Sequence, residues 1–360
     1  MKSMNWCGAL AVCLAVAACG GGGGDSGTDP FGTGAGTGTG GTGTGGTGTD
    51  TGTDTGTPST PTTPGGGISN VSTGVPNQRF MSMSVEKWAL NWGMDGDTTK
   101  VTIRVADSAG NPVPEGTRVQ FSTSGGQIVT SCALSGVAEG TATISACSVD
   151  FATQDFRPLS GRVSILAWLE GEEAYKDLNG NGAYDVGEPF ADAGRLFRDD
   201  NGDKTFTDQV DELNVGATLA STPGIGSSAC VVDPAVPVND APLSVPATCD
   251  GAWGRTFVRA AAYLPVSDPR YLNASVLGDT VRVWTKFGTD EVAAPSGTTL
   301  TVKTFPTGCT VSISPSSVPN AAVDPTLHTI SSTGATCTGG SVGIEVKFNE
   351  FSKLLTATLP

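Results

Sequence analysis

The sequence predicts an all-β chain with two β-sandwich domains in tandem. Two observations carry that expectation. From Gln78 onward, short runs alternate apolar and polar residues, are bounded by Gly, Pro, Asn and Asp, and show no helical periodicity. The same stretch is rich in Val, Thr, Ser, Gly and Pro, a composition that favours pleated strands. About 290 residues follow the low-complexity front of the chain, enough for two domains.

The front end comes first. Lys2 is followed by an apolar run over residues 9–16. That run is short of the about 20 residues a membrane span needs and suits a signal-peptide core. It ends in Val16-Ala17-Ala18-Cys19, which resembles the lipobox of bacterial lipoproteins. The resemblance implies a signal peptide over residues 1–18, with acyl chains such as palmitate carried on Cys19. The alternative is an ordinary cleaved signal with a chance Cys. Gly20, where such lipoproteins carry Asp for inner-membrane retention, points to the outer membrane. Residues 19–77 form the expected tether. Residues 20–67 are almost wholly Gly, Thr, Asp, Ser and Pro, and are expected to be disordered. A Gly-rich coil of about 48 residues spans roughly 35–40 Å.

The strands follow. Residues 100–105 put Val101, Ile103 and Val105 on one face, and residues 117–122 put Val119 and Phe121 inward. Between them lies a turn, Gly110-Asn111-Pro112-Val113-Pro114. Residues 140–145 and 161–167 alternate again. The Thr/Val strand, the Asn-Pro-Val-Pro turn and the Val119-Gln120-Phe121 strand ending at Gly125-Gly126 resemble the bacterial immunoglobulin-like group 1 domain of intimin and invasin surface proteins. The resemblance covers about 90 residues and implies an Ig-like sandwich with a structural or adhesin-like role at the cell surface. In that family the last strand follows closely. Here it comes only at residues 255–260, so residues 171–250 are expected to be an insertion in a first domain spanning 78–265. Strand-like runs at 280–285, 298–302, 309–313, 341–346 and 354–359 predict a second, smaller Ig-like domain over 266–360.

Cys7 and Cys13 fall in the signal. With Cys19 given to the lipid, six cysteines remain, an even number that reads as three disulfides in an exported protein. Six allow 15 pairings. Pairing neighbours within each unit predicts Cys132–Cys147, Cys230–Cys249 and Cys309–Cys337. A thiolate metal site is disfavoured by the absence of CxxC spacing.

The chain carries a net charge of −15, and 13 acids against four bases lie between Glu170 and Glu212. That sign excludes nucleic acid as a partner and suits a cation. Within it, residues 177–188 resemble an EF-hand calcium loop. Asp177, Asn179 and Asn181 stand at positions 1, 3 and 5, and Gly182 at the turn. Ala183 would offer a carbonyl at position 7, with Asp185 at 9 and Glu188 at 12. The strand-like residues before it and Pro189 after it predict a loop without flanking helices, structural rather than a switch. The alternative is a polar turn. Asp199, Asn201 and Asp203 repeat positions 1, 3 and 5 of a degraded second loop, with Thr205 at 7. Lys204 replaces the turn glycine there, position 12 is Val210, and Asp208 or Asp211 would supply the last carboxylate. The alternative is a solvated acidic loop. Calcium is the cofactor expected.

His328 is the only histidine. It sits in a strand-like run and reads as structural. No Ser/His/Asp set, GxSxG or zinc motif occurs, and calcium ligation explains the clustered acids better than a glycosidase carboxylate pair. The chain is therefore not expected to be an enzyme. The partners expected are the membrane, through the lipid, and a host, cell-surface or envelope protein or glycan. The competing reading is an envelope scaffold or carbohydrate-binding accessory lipoprotein, with Trp88, Trp92, Trp168, Trp253 or Trp284 lining a sugar platform. The ordinary reading of those Trp residues is sandwich core.

Overall fold

The computed structural model describes residues 72–213, 224–239 and 241–359. The expected signal, Cys19 and the tether before residue 72 lie outside them. The chain is all-β. In order the strands are β1 (Ser82–Val85), β2 (Thr98–Val105), β3 (Arg118–Thr123), β4 (Gln127–Ile128), β5 (Ser131–Ala133), β6 (Ser135–Glu139), β7 (Ala142–Ala152), β8 (Arg162–Glu172), β9 (Phe197–Arg198), β10 (Glu212–Leu213), β11 (Ile225–Ser228), β12 (Arg255–Pro265), β13 (Leu272–Leu277), β14 (Thr280–Thr285), β15 (Thr299–Thr304), β16 (Thr310–Ser314), β17 (Thr326–Thr333), β18 (Ser341–Phe348) and β19 (Phe351–Thr358).

These strands form two sandwiches. In the first, one sheet runs β1-β2-β7, with β4 and β6 both on the far edge of β7, and the facing sheet runs β12-β8-β3-β5. In the second, the sheets are β13-β14-β17-β16 and β15-β18-β19. Both have the strand order of an immunoglobulin sandwich: first, second and fifth strands on one sheet, third, sixth and seventh on the other. The alternation read from the sequence places the first core. Val101, Ile103, Val105, Val119 and Phe121 all lie in one buried cluster with residues of β8 and β12. Val281, Val283, Val342, Ile344 and Val346 anchor the second. The three cysteine pairs are bridged as neighbours, Cys132–Cys147, Cys230–Cys249 and Cys309–Cys337.

Two differences from the sequence expectation have physical causes. The folded body begins before Gln78, so residues 72–77 are not tether. The Asp107 carboxylate accepts from the Ser72 hydroxyl at 3.1 Å and the Thr73 N–H at 2.9 Å. Buried Asn77 donates to Glu172 Oε1 at 3.2 Å. The expected insertion boundaries also shift, each a few residues later along the chain. β8 and β12 pair antiparallel along their full lengths, from Glu172↔Arg255 to Arg162↔Pro265. The insertion is therefore residues 173–254, leaving and re-entering between paired neighbours on one sheet. It folds back over the outer face of that sheet. Every residue of β8 from Val163 to Leu169 is buried, because Leu166 and Trp168 on the outer face pack against Leu196 of the insertion. A strand covered on both faces loses its alternation.

His328, on β17, is fully buried. Its Nδ1 lies 2.6 Å from the Pro315 carbonyl, which fixes the Nδ1–H tautomer and leaves Nε2 to accept from the Thr326 hydroxyl at 2.8 Å. Burial pushes its pKa below the ordinary histidine value, opposed by the Pro315 bond.

Candidate metal centre

Both acidic loops sit at the tips of short antiparallel stems in the insertion. For the first, Tyr175 bridges Phe190, and Lys176 N–H donates to Pro189 O at 2.9 Å. For the second, β9 and β10 form the stem, pairing Arg198↔Glu212 and Phe197↔Leu213. Neither loop is flanked by helices, as the flanking residues predict.

The same skeleton of side chain to backbone bonds shapes both. In the first, Asp177 Oδ1 accepts from Gly180 N at 2.6 Å and its Oδ2 from Gly182 N at 2.7 Å. Asn179 Oδ1 accepts from Asn181 N at 3.0 Å, and Asn181 Oδ1 from Ala183 N at 2.8 Å. Glu188 closes the ring, taking Leu178 N at 2.7 Å and Asp185 N at 3.0 Å on its two oxygens. Asp185 Oδ2 accepts from both Asn179 Nδ2 and Asn181 Nδ2, each at 2.7 Å. In the second loop, Asp199 accepts from Gly202 N at 2.6 Å and Lys204 N at 2.8 Å. Asn201 accepts from Asp203 N at 3.0 Å, and Asp203 from Thr205 N at 2.8 Å. These are chained Asx turns, the local habit of Asp and Asn two residues before an N–H.

The closing acid of the second loop is Asp211. Its two oxygens take Asp200 N at 2.8 Å and Thr207 N at 2.7 Å, the positions that Glu188 serves in the first loop. Asp208, the other acid expected to close the loop, is exposed and takes no part in this set of bonds. The position-six residue needs positive φ in both loops, 77° at Gly182 and 65° at Lys204. Lysine holds that left-handed conformation at a cost of about 1–2 kcal/mol, which explains why the sequence copy looks degraded although the geometry is kept. Ala183 and Thr205 enter the hydrogen bonds through their N–H groups.

Hydrogen bonds to its backbone neighbours hold the Asp177 carboxyl below its ordinary value, the Gly182 N–H contributing most. The Thr205 hydroxyl and N–H do the same for Asp203. Each loop offers hard oxygen donors only, from Asp, Asn and Glu or Asp side chains and the backbone, a donor set that fits Ca²⁺ rather than a soft metal. Among the described residues, however, no three His, Cys, Asp or Glu side chains are grouped so as to hold a metal ion. In this arrangement much of the carboxylate capacity is spent on the loops' own N–H groups.

The loops are fastened differently to the body. Tyr184 of the first stacks on Trp253, with ring centroids 4.6 Å apart, and meets Tyr175 and Phe190 edge-on. Asp199 of the second is buried and receives the Tyr263 hydroxyl at 2.7 Å, and Arg198 ties Asp200 to Ser122 of β3. Beneath the insertion lie two groups that sequence reasoning missed, because only burial distinguishes them. Glu173 is fully buried. Its carboxylate accepts from Ala193 N at 2.7 Å and Gly254 N at 3.1 Å. Burial, with Asp192 and Asp250 nearby, pushes its pKa up to about 8 against the two hydrogen bonds. Arg259 is equally buried and donates to the carbonyls of Phe257, Leu243 and Gly194. Burial pushes its pKa down to about 9, opposed by the charge of Glu173.

Among the described residues the tryptophans do not form a row. Trp92 and Trp168 are core, Trp253 belongs to the aromatic cluster, Trp284 lies under the Arg282 guanidinium, and Trp88 lines a cleft.

No family model matches the chain, and no curated protein matches it. Among solved structures, the Yersinia pseudotuberculosis adhesin InvE is similar at 12% identity with a TM-score of 0.22, over 79% of this chain and 60% of that one. The chain thus spans about 60% of that adhesin's length. At this TM-score the likeness carries no weight, and the fold is read from the strand order itself.

Proposed function

We propose that this chain is a lipid-anchored module of the outer membrane, held at Cys19, with a structural or adhesin-like role and an insertion ordered by calcium. The observation that supports the calcium reading is the shared skeleton of the two loops: two sequences that differ at positions five, six, seven, nine and twelve make the same set of side chain to backbone bonds. Asp177, Asn179, Asn181, Asp185 and Glu188, with the Ala183 carbonyl, would hold one ion. Asp199, Asn201, Asp203, the Thr205 carbonyl and Asp211 would hold the second. Bound calcium supplies positive charge to a segment carrying 13 acids against four bases, and so offsets its self-repulsion. The role is structural, since short strand stems offer no helix pair to open.

A calcium titration of the thermal melt tests this. Affinities of about 10⁻⁴–10⁻³ M, common in extracellular modules, predict about 1.4–2.7 kcal/mol of stabilisation at about 10 mM calcium. Asp177→Ala with Glu188→Ala removes the first site's share, and Asp211→Ala the second's. A melt unmoved by several millimolar calcium sinks the proposal. The anchor is tested separately: Cys19→Ser should abolish metabolic labelling with palmitate and release the chain from the membrane fraction.

A further inference from the structure

A cleft of about 350 Å³ opens where the second acidic loop meets the junction of the two sandwiches. Trp88 and Tyr263 provide aromatic walls, and Arg162, Asn201 and Asp290 provide polar groups. Its residues come from the segment after β1, from both long strands β8 and β12, from the insertion, and from the turn after β14, so only the assembled chain builds it. The volume falls at the lower end of ligand pockets, about 300–1,000 Å³. We infer that this cleft binds a neutral saccharide.

The chemistry is specific to that class. A pyranose presents C–H faces, which suit an aromatic wall, and a rim of hydroxyls that both donate and accept. The cleft's polar groups match that rim: guanidinium donates only, carboxylate accepts only, and the Asn201 amide does both. The groups are also fixed in advance, which lowers the ordering cost of binding. The Tyr263 hydroxyl is committed to Asp199 Oδ2 at 2.7 Å, and Gly202 lies against the Tyr263 ring, where a Cβ would stand 3.6 Å from Cδ1. Arg162 Nη2 is held by Asp324 Oδ1 at 2.7 Å, with Asp290 Oδ2 3.9 Å from Nε. Asp290 and Asp324 flank this single arginine and Asp199 stands behind the Tyr263 hydroxyl, so the local charge is negative and disfavours phosphorylated or sulfated ligands. The inference goes beyond the calcium reading; because Asn201 and Asp199 also belong to the second proposed loop, binding is measured both with calcium and in EDTA, and a sugar signal in EDTA stands whether or not the loop takes an ion.

The test is saturation-transfer NMR with the full chain and glucose, galactose, mannose or N-acetylglucosamine at about 20 mM, since a ligand of this size is expected to bind at about 1 mM. At least one sugar should receive saturation. Trp88→Ala and Tyr263→Ala should each reduce the effect at least about tenfold. Asp290→Ala alters an exposed side chain outside both cores, so it reports on the cleft even if the aromatic variants disturb folding, and it should also weaken binding about tenfold. Trp284→Ala, outside the cleft, should leave the signal unchanged. The inference is overturned if no sugar of the panel receives saturation, if the signal survives all three cleft substitutions, or if glucose 6-phosphate binds better than glucose.

Discussion

The carboxylate of Asp211 stands one position later than that of Glu188 in its loop and on a side chain one methylene shorter, yet it makes the same two bonds. Asp211→Ala leaves two loop N–H groups without their charged acceptor, and should cost about 2–3 kcal/mol in urea unfolding even without calcium. Asp208→Ala touches no such bond and should stay within about 0.5 kcal/mol of the parent. Equal effects from the two would mean that the loop is not closed by Asp211. A second residue-scale consequence concerns pH. With its pKa raised from 4.5 to about 8, folded Glu173 retains a proton that the unfolded chain has already released. The stability this contributes is complete below pH 4.5 and is lost as pH rises towards 8. Urea midpoints in EDTA should therefore fall between pH 5 and pH 8 in the parent. Glu173→Gln should remove that part of the slope, whatever constant offset the amide introduces. An identical slope in both proteins would show that the folded state keeps Glu173 ionised.

At the scale of elements, β12 carries the insertion. Arg259 is the rivet: its guanidinium holds Gly194 and Leu243 of the insertion. Its backbone exchanges hydrogen bonds with Gln78 and receives the Asn239 side chain. Arg259→Met fills similar space but leaves buried carbonyls without donors. At roughly 1.5–3 kcal/mol per bond to a charged group, a loss of at least about 3 kcal/mol is expected, read as a lower urea midpoint and as faster proteolysis within residues 173–254. A loss below about 1 kcal/mol would show that water replaces the guanidinium. Alternation located β2, β3, β14, β15, β16 and β18 from sequence because each of these strands turns one face towards a core. It said little about why β8 reads as a nearly unbroken apolar run, since what covers its outer face comes from residues about 30 positions away. The short strands β4, β5, β9, β10 and β11 were not legible, because two to four residues give no period to recognise.

For the whole molecule, the two sandwiches share an interlocked junction. Ala89 of the first sandwich's chain sits in the second core, and Phe287 packs against the first. The backbones touch where side chains would not fit: a Cβ on Gly288 would lie 1.9 Å from the Leu159 carbonyl, and one on Gly161 2.8 Å from that of Phe287. Both glycines also hold positive φ, 76° and 81°. A junction this close should make the sandwiches melt as one unit in calorimetry. Gly288→Ala should lower stability by several kcal/mol, at least about 2, and split the melt into two transitions. Two transitions in the parent would show that the sandwiches unfold independently.

What the sequence determined by itself was short-range: the period-two pattern of the core strands, the Asx-rich spacing of residues 177–188 and 199–205, and cysteine pairs closed over 15, 19 and 28 residues. Each depends on side-chain chemistry repeated within one or two elements, so it survives without knowledge of what lies opposite. Tertiary structure alone decided which acid closes the second loop, and which charges, Glu173 and Arg259, are taken out of water. It also decided that Trp88 and Tyr263, 175 positions apart, face one cleft. Those outcomes turn on desolvation and on the joining of distant strands, and neither leaves a periodic mark on the chain.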